Sequence, residues 1–328
     1  MQYREGMRAA YANRVDLDDP LSCLVVGEIE PPATPADWID VHVRAASLNH
    51  HDLWALKGVA LPADRVPMIL GTDAAGVTAD GREVIVHAVI GDPAAGHGDE
   101  TLDPHRSLLS ERYPGTIADV VRVPARNVVD KPAALTFEEA ACLPTAWLTA
   151  YRMIAEKSAT DGGDTILVQG AAGGVATAAI VLGKALGRRV WVTSRDEGKR
   201  AWAESIGADA AFASGARLPE KVDAVIETVG AATWDHSLRA LRPGGRIVVS
   251  GATSGNDPSA DLNRVFFLQM SVVGSTMGTR DQLAELADLL ARTGARPIID
   301  SVRPVEQAHG AFAAMAIGDV RGKLVLTF

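Results

Sequence analysis

Residues 165–178 have the sequence TILVQGAAGGVATA. An apolar run, Thr165–Gln169, leads into a glycine-rich turn, and the helical pattern Gly174–Leu186 follows it. Glycines in this context permit a tight turn and let the backbone approach a pyrophosphate, while the helix N-terminus offers free N–H groups. The stretch therefore predicts a dinucleotide-binding turn, although its spacing departs from G-x-G-x-x-G. A packing turn without a ligand is the alternative.

The same alternation of apolar runs and helical patterns continues beyond the turn. Further strands are predicted at Arg189–Thr193, Ala224–Thr228, Arg246–Ser250 and Ser271–Gly274, with helices at Glu197–Ile206 and Thr233–Leu241. Strand–helix alternation with fully apolar strands predicts a parallel sheet covered on both faces.

The rest of the chain has a different sequence pattern. Short β-type runs broken by Pro and Gly occur at Ser22–Val26, Trp38–Ala45, Glu83–His87 and Ile117–Val123, and a loop-like stretch covers Gly91–Pro114. The tail predicts a helix at Asp281–Arg292, a strand at Ile298–Val302, a helix near Val305–Met315 and a strand at Lys323–Phe328. A length of 328 residues fits two domains.

The end of the second predicted strand indicates the cofactor. NAD sites carry an acid there to bind the ribose hydroxyls. This chain has Ser194 and Arg195 instead, which suit a 2′-phosphate, and Lys199 lies one turn into the next helix. The residues favour NADP(H), although the neighbouring Asp196 weakens the argument and Arg195 as a solvated surface charge is the alternative.

Together these motifs resemble the medium-chain dehydrogenases/reductases, which include zinc alcohol dehydrogenases and zinc-free quinone reductases. The resemblance covers nearly the whole chain. Besides the glycine turn it rests on AASLNHHDLWALKG (45–58), ILGTDAAGV (69–77), LPTAWLTAY (143–151), LRPGGRIVVSGATSG (241–255) and the closing GKLVL (322–326). It implies a GroES-like β domain at 1–127 and 276–328, which carries the chemistry, and a doubly wound Rossmann domain at 128–275, an α/β architecture.

The resemblance also identifies the positions of the catalytic zinc ligands. Zinc members have ligands where this chain has Asn49, Thr72 and Thr145, and four cysteines in the lobe that corresponds to 91–114, which contains none here. Amide and hydroxyl groups are poor zinc ligands, so we expect no metal. His50 and His51 are neighbours, so on an extended segment they point to opposite faces and do not chelate one ion. A site that joins one of them to His87, His97 or His105 is the alternative.

Without zinc, another group must polarise the substrate oxygen and supply a proton. The resemblance implies Asn49 as a hydrogen-bond donor and aligns His51 with the start of a proton relay, a task that suits imidazole. A structural role for His51 is the alternative. Tyrosines are alternative acids: Tyr113 at the end of the loop is placed to reach the cleft, whereas Tyr151 is expected in the core. Asp52 is expected to brace the loop.

Further cofactor contacts follow from the resemblance. Thr149 is expected near the nicotinamide, Val229 beside the adenosine ribose, and Gly251, Ala252 and Thr253 under the nicotinamide. The complete predicted cofactor set is Thr149, Gly170, Gly173, Gly174, Val175, Ser194, Arg195, Lys199, Val229, Gly251, Ala252 and Thr253.

Composition limits the partners. A net charge of −9 and a pI of about 5.4 argue against nucleic acid and anionic membranes. Two cysteines indicate no disulfide framework, and neither a signal peptide nor a membrane span is expected, so a cytoplasmic protein is predicted. The resemblance implies a homodimer, with Ser271–Gly274 as the candidate edge strand.

The predicted activity is hydride transfer from NADPH to a quinone, an enone or enal, or another electron-poor carbonyl compound, without zinc. Oxidation of an alcohol is one alternative, and a non-catalytic nucleotide-binding protein is another.

Overall fold

The computed structural model describes residues 6–31 and 35–328. The expectation of no signal peptide therefore rests in part on residues 1–5, which lie outside the described residues, as does the start of the predicted N-terminal domain. Among the residues that are described, no helix is long and apolar enough to cross a bilayer.

The strands, in chain order, are β1 Met7–Ala12, β2 Leu24–Ile29, β3 Ile39–Ser47, β4 Met68–Ile69, β5 Asp73–Thr78, β6 Glu83–Val86, β7 Val89–Ile90, β8 Ser107–Leu108, β9 Val120–Val123, β10 Val128–Asp130, β11 Thr165–Gln169, β12 Arg189–Ser194, β13 Ala210–Ala213, β14 Val222–Glu227, β15 Leu241–Val249, β16 Ser271–Gly274, β17 Ile299–Pro304 and β18 Lys323–Thr327. The α-helices are α1 His50–Leu56, α2 Phe137–Ala141, α3 Leu148–Tyr151, α4 Gly174–Ala185, α5 Glu197–Ser205, α6 Ala231–Ala240, α7 Leu262–Phe267, α8 Arg280–Thr293 and α9 Ala308–Ile317.

The chain forms two compact units. Unit 1 contains residues 1–146, 277–292 and 299–328, and unit 2 contains residues 147–276 and 293–298. The sequence assigns residues 128–146 to the second domain, whereas the structure places them in unit 1, because α2 packs against β3, β5 and β18.

Unit 2 is built on a six-stranded parallel sheet in the order β13-β12-β11-β14-β15-β16. Every residue of β11 is buried, as expected for a strand covered on both faces. The chain runs outward from β11 to β13 and then returns to the other side of β11 with β14. This reversal places the carboxyl ends of β11 and β14 side by side, where doubly wound sheets bind ligands.

The predicted doubly wound sheet is thus confirmed, with small shifts at the element ends. β15 begins at Leu241, where the sequence predicts the end of a helix, and β13 is a strand that the sequence analysis missed. Its sequence, AAFA, contains none of the β-branched residues that indicate strands. Pairing with β12 stabilises the extended conformation instead.

Unit 1 is largely antiparallel β structure. Its main sheet has the order β10-β6-β5-β3-β18-β17, with β9 also pairing with β3, and smaller sheets join β2-β1-β4 and β7-β8. The stretch from residue 91 to residue 114 is mostly irregular, as predicted, with one 3₁₀ turn and the short β8.

Strand pairing in the main sheet brings distant segments together. β3 lies between β5 and β18, with Ser47 opposite both Asp73 and Val325. The backbone N–H of Leu48 donates to the carbonyl of Leu324 at 2.9 Å. The end of β3, the start of β5 and the start of β18 therefore converge, and the candidate catalytic residues lie at this point.

Candidate active site

The glycine turn of unit 2 leaves its backbone open at the start of a helix. Gly170 follows β11 with a φ of +91°, a left-handed conformation that favours glycine. Gly173 caps α4, and a Cβ built there would meet no atom within 4 Å, so the space next to the backbone is open. The first N–H groups of α4, including those of Gly174 and Val175, have no intrahelical acceptor and lie at the positive end of the helix dipole. A helix terminus of this kind is suited to bind an anion.

The loop after β12 presents positive charge. Arg195 is exposed, and within the described part of the chain its guanidinium has no hydrogen-bond or ion-pair partner. Asp196, beside it, caps α5: its carboxylate accepts the backbone N–H of Lys199 at 2.7 Å. Arg200, which the sequence analysis missed, donates to the carbonyls of Ser194 at 2.9 Å and Arg195 at 3.3 Å and holds the loop.

A buried carboxylate organises the turn after β14. Glu227 is fully buried and accepts the backbone N–H groups of Val229 at 2.8 Å and Gly230 at 3.0 Å, together with the hydroxyls of Thr233 and Ser237. Glu227 is not among the residues predicted from the sequence, although an acid at the end of an apolar strand is a signal that could have identified it.

The turn after β15 lies beside this one. The N–H of Ser254 donates to the carbonyl of Val229 at 2.8 Å, which ties the segment 251–254 to the turn after β14. The fold therefore brings Val229, Gly251, Ala252 and Thr253 to the carboxyl edge of the sheet, where the glycine turn also lies. Thr149 is buried on α3, which packs against α4, the helix that follows the glycine turn.

The candidate catalytic residues of unit 1 surround a buried lysine. The Nζ of Lys323 donates to the carbonyl of Leu48 at 2.7 Å, to Oδ1 of Asn49 at 2.6 Å and to Oδ2 of Asp73 at 3.1 Å. Lys323 and Asp73 are 2% and 0% exposed, so this is a buried ion pair. The hydroxyl of Ser47 donates to the same Asp73 oxygen at 2.6 Å.

The three side chains at the positions that the resemblance aligns with zinc ligands bond to one another. Nδ2 of Asn49 donates to Oγ1 of Thr72 at 3.2 Å, and Oγ1 of Thr72 lies 2.8 Å from Oγ1 of Thr145. An amide and two hydroxyls are poor zinc ligands, and the Lys323 ammonium already occupies the amide oxygen. The residues present therefore do not fit a catalytic zinc ion.

The histidine pair lies on α1 rather than on an extended segment, which corrects the sequence analysis, because Asn49 caps this helix. His50 is exposed, whereas the imidazole of His51 is 13% exposed and turns to Glu111, with 3.1 Å between Nε2 and Oε1. Of the other histidines proposed as metal ligands, His87 is buried and bonds to the carbonyl of Gly278 at 2.9 Å. In the described ranges, no group of three or more His, Cys, Asp or Glu is arranged to hold a metal.

Glu111 raises the pKa of His51 and determines which ring nitrogen carries the hydrogen. Burial lowers the pKa of His51, but the hydrogen bond to Glu111 and the charges of Asp52, Glu111 and Asp73 outweigh it, so the pKa is raised. Burial raises the pKa of Glu111, but the bonds from His51 and the Leu108 N–H outweigh it and lower the pKa. An ionised Glu111 only accepts, so Nε2 carries its hydrogen and Nδ1 is the atom that exchanges a proton. That Nδ1 is buried and has no partner among the described residues.

Asp52 braces this segment, as the sequence suggests. Its two oxygens accept the backbone N–H groups of Asn49 at 2.8 Å and Gly71 at 3.0 Å. Burial raises its pKa to about 6 against the lowering effect of His51. Asp52 therefore joins the segment of Asn49 to the segment of Thr72.

Known proteins match both units. Residues 35–133 match the alcohol dehydrogenase GroES-like domain family, and residues 174–292 match the zinc-binding dehydrogenase family. A solved structure described as an NAD-dependent alcohol dehydrogenase has 31% identity and a TM-score of 0.89, and the match covers 98% of this chain and 100% of that one.

Curated relatives match at lower identity. The acryloyl-coenzyme A reductase of Metallosphaera sedula is 26% identical over 323 residues, covering 92% of this chain and 96% of the relative. An alcohol dehydrogenase of Geobacillus stearothermophilus is 27% identical over 326 residues, with the same coverages. The chain belongs to the medium-chain dehydrogenase/reductase superfamily, and it is an oxidoreductase. The resemblance seen in the sequence is thereby confirmed.

We expect that Glu111→Gln lowers the pKa of His51, because the burial effect then prevails over the weakened hydrogen bond. Because the pKa of His51 is higher in the folded than in the unfolded state, the pair with Glu111 stabilises the folded protein. This stabilisation is complete at pH values below the unfolded histidine pKa of about 6.5. It is lost as the pH rises through the pKa of the folded state. NMR titration of the histidine Cε1–H signals measures the shift. Glu306→Gln, which removes an exposed carboxylate paired with Arg8, is the control. An unchanged or higher His51 pKa in Glu111→Gln would contradict this account.

Proposed function

We propose that the protein is an NADP(H)-dependent, zinc-independent reductase of electron-poor conjugated carbonyl compounds: enones, enals, enoyl thioesters and quinones. The observation that carries the proposal is the hydrogen-bonded group of Asn49, Thr72 and Thr145 next to the buried Lys323. The resemblance aligns these three positions with the zinc ligands of related enzymes.

The chemistry of such acceptors suits this site. When bound, the reduced nicotinamide supplies a hydride, and a conjugated acceptor moves the resulting negative charge onto its carbonyl oxygen. That charge needs a hydrogen-bond donor. A proton is then added to carbon in an enone, enal or enoyl thioester and to oxygen in a quinone, and neither need requires a metal. We propose that His51 supplies the proton from Nδ1, with Glu111 holding the ring. A buried ring nitrogen without a partner is costly, and a proton-transfer role accounts for it.

Oxidation of an alcohol is the weaker alternative. An unactivated alcohol must lose its proton as the hydride leaves, and zinc enzymes lower its pKa by coordination. The basic group available here is a single imidazole that Glu111 keeps more protonated than usual. The acryloyl-coenzyme A reductase among the relatives supports reduction of an activated alkene as the function of this chain.

A substrate panel tests this function and distinguishes it from non-catalytic nucleotide binding. We expect the protein to oxidise NADPH with 2-enones, 2-enals, acryloyl-coenzyme A or quinones, and to keep this activity after dialysis against EDTA. Aliphatic alcohols with NADP⁺ serve as the comparison. Loss of activity with the chelator and its return with zinc would contradict the metal-free mechanism. Binding of NADPH without turnover on any acceptor would instead indicate a non-catalytic protein.

The cofactor part of the proposal depends on the loop after β12. We expect Arg195→Ala to raise the KM for NADPH about tenfold or more, since a charge-assisted bond to the 2′-phosphate is lost, and to leave the KM for NADH unchanged. Arg321→Ala removes one exposed positive charge from unit 1 and is the matched control. Equal effects on both cofactors, or none, would contradict a phosphate contact and favour NAD(H).

We also propose that two copies associate through the β16 edge of unit 2. β16 ends the sheet, so its outer backbone groups lack a strand partner within the described chain. In the same unit, the apolar side chains of Leu262, Phe266, Phe267 and Val272 are 71%, 62%, 77% and 49% exposed. Exposed apolar side chains beside an open edge suit a two-fold contact between identical surfaces.

Light scattering coupled to gel filtration tests this association. The unmodified protein is expected at about twice the chain mass of 34.5 kDa, and Phe267→Lys is expected to shift it to the mass of one chain. Ile317→Lys changes an equally exposed apolar residue of unit 1 and serves as the control. A monomer before substitution, or a dimer that persists in Phe267→Lys, would contradict the proposed surface.

A further inference from the structure

The buried lysine sets the orientation of the Asn49 amide. An ammonium group has three donors and no acceptor, and Lys323 directs its donors to Leu48, Asn49 and Asp73. The atom of Asn49 that faces Lys323 must therefore be its oxygen. The amide nitrogen consequently faces Thr72, and the bond between them runs from Asn49 to Thr72.

The next bond then has only one possible direction. Oγ1 of Thr72 accepts from Asn49, and Thr72 is fully buried, so its hydroxyl hydrogen needs an acceptor. Within the described chain, the acceptor in reach is Oγ1 of Thr145, at 2.8 Å. The chain of donors thus runs from Lys323 through Asn49 and Thr72 to Thr145.

Thr145 is the terminal group of this chain. Its oxygen accepts from Thr72, so its own hydrogen remains for a ligand. Thr145 is partly exposed, whereas Asn49 is 8% and Thr72 0% exposed. Hydrogen bonds in series polarise one another in a low-dielectric interior, and a cation at the head of the series increases the donor strength at its end.

We propose that Thr145 is a catalytic residue that donates its hydroxyl hydrogen to the carbonyl oxygen of the substrate, with Lys323 as the positive charge behind it. This inference rests on the proposed reductase function. It changes the role expected for Asn49, which transmits the charge of Lys323 through its amide. The three positions that hold zinc in related enzymes then serve the same end, stabilisation of negative charge on oxygen, through a directed series of hydrogen bonds.

Two substitutions at Thr145 separate the effect of the hydroxyl group on activity from the effect of side-chain packing. Thr145→Val keeps the shape and removes the donor, and Thr145→Ser keeps the donor and removes a methyl group. With the best acceptor of the panel, kcat is expected to fall about 100-fold in Thr145→Val, as for other oxyanion donors, and by less than about threefold in Thr145→Ser. The dissociation constant for NADPH is expected to stay the same in both variants.

A third variant tests the connection to the lysine. Thr72→Val leaves the Thr145 hydroxyl in place and cuts its link to Asn49 and Lys323. We expect a fall in kcat of about tenfold, between those of the two Thr145 variants. If the kcat of Thr72→Val equals that of the unmodified protein, the connection from Lys323 to Thr145 is contradicted. The role of Thr145 as a donor would not be affected by that result.

The outcomes are distinguishable. Equal activity in Thr145→Val and the unmodified protein, or equal losses in Thr145→Val and Thr145→Ser, would overturn the catalytic role of the hydroxyl. Thermal unfolding identifies a variant that does not fold, and Thr145→Ala then replaces Thr145→Val in the same comparison with Thr145→Ser. If the unmodified protein reduces no acceptor in the panel, the proposed function fails and this inference fails with it.

Discussion

The active side of unit 1 depends on the buried ion pair of Lys323 and Asp73. Three segments meet there, since Lys323 begins β18, Asp73 begins β5 and Asn49 follows β3. Leaving one partner of such a pair buried alone costs about 3–5 kcal/mol, so the pair holds the ends of the three strands in one arrangement. The same ammonium donates to the Asn49 oxygen at 2.6 Å, so a stabilising contact also sets the orientation of a candidate reactive group.

In the proposed mechanism, two groups of side chains act on different atoms of the substrate. The hydrogen-bond series that ends at Thr145 stabilises an oxygen that becomes negative, and the pair of His51 and Glu111 transfers a proton. Asp52 joins them physically, because it holds the backbone of Asn49 and of Gly71, next to Thr72. In zinc enzymes the metal ion supplies the positive charge. In the proposed mechanism Lys323 supplies it, and a chelator does not remove a side chain.

The sequence predicted the local parts of this arrangement well. The apolar run 165–169 with its glycine turn is a pattern of neighbouring residues, and it predicted the doubly wound sheet. The motifs around Asn49, Thr72 and Thr145 likewise located three positions that the structure brings together. Contacts between segments that are distant in the sequence were not predicted. Lys323 is 274 positions from Asn49, and no periodicity in the sequence connects the two residues. Glu111 was missed because it lies in an irregular loop, where residue type alone does not identify a partner.

Crystals grown with zinc test the central claim directly, because anomalous scattering at the zinc edge locates the ion. The account predicts no zinc peak near Asn49, Thr72 and Thr145, and density for the Lys323 ammonium beside the Asn49 oxygen. A zinc ion at about 2.0–2.3 Å from these side chains, with Lys323 displaced from Asn49, would contradict it.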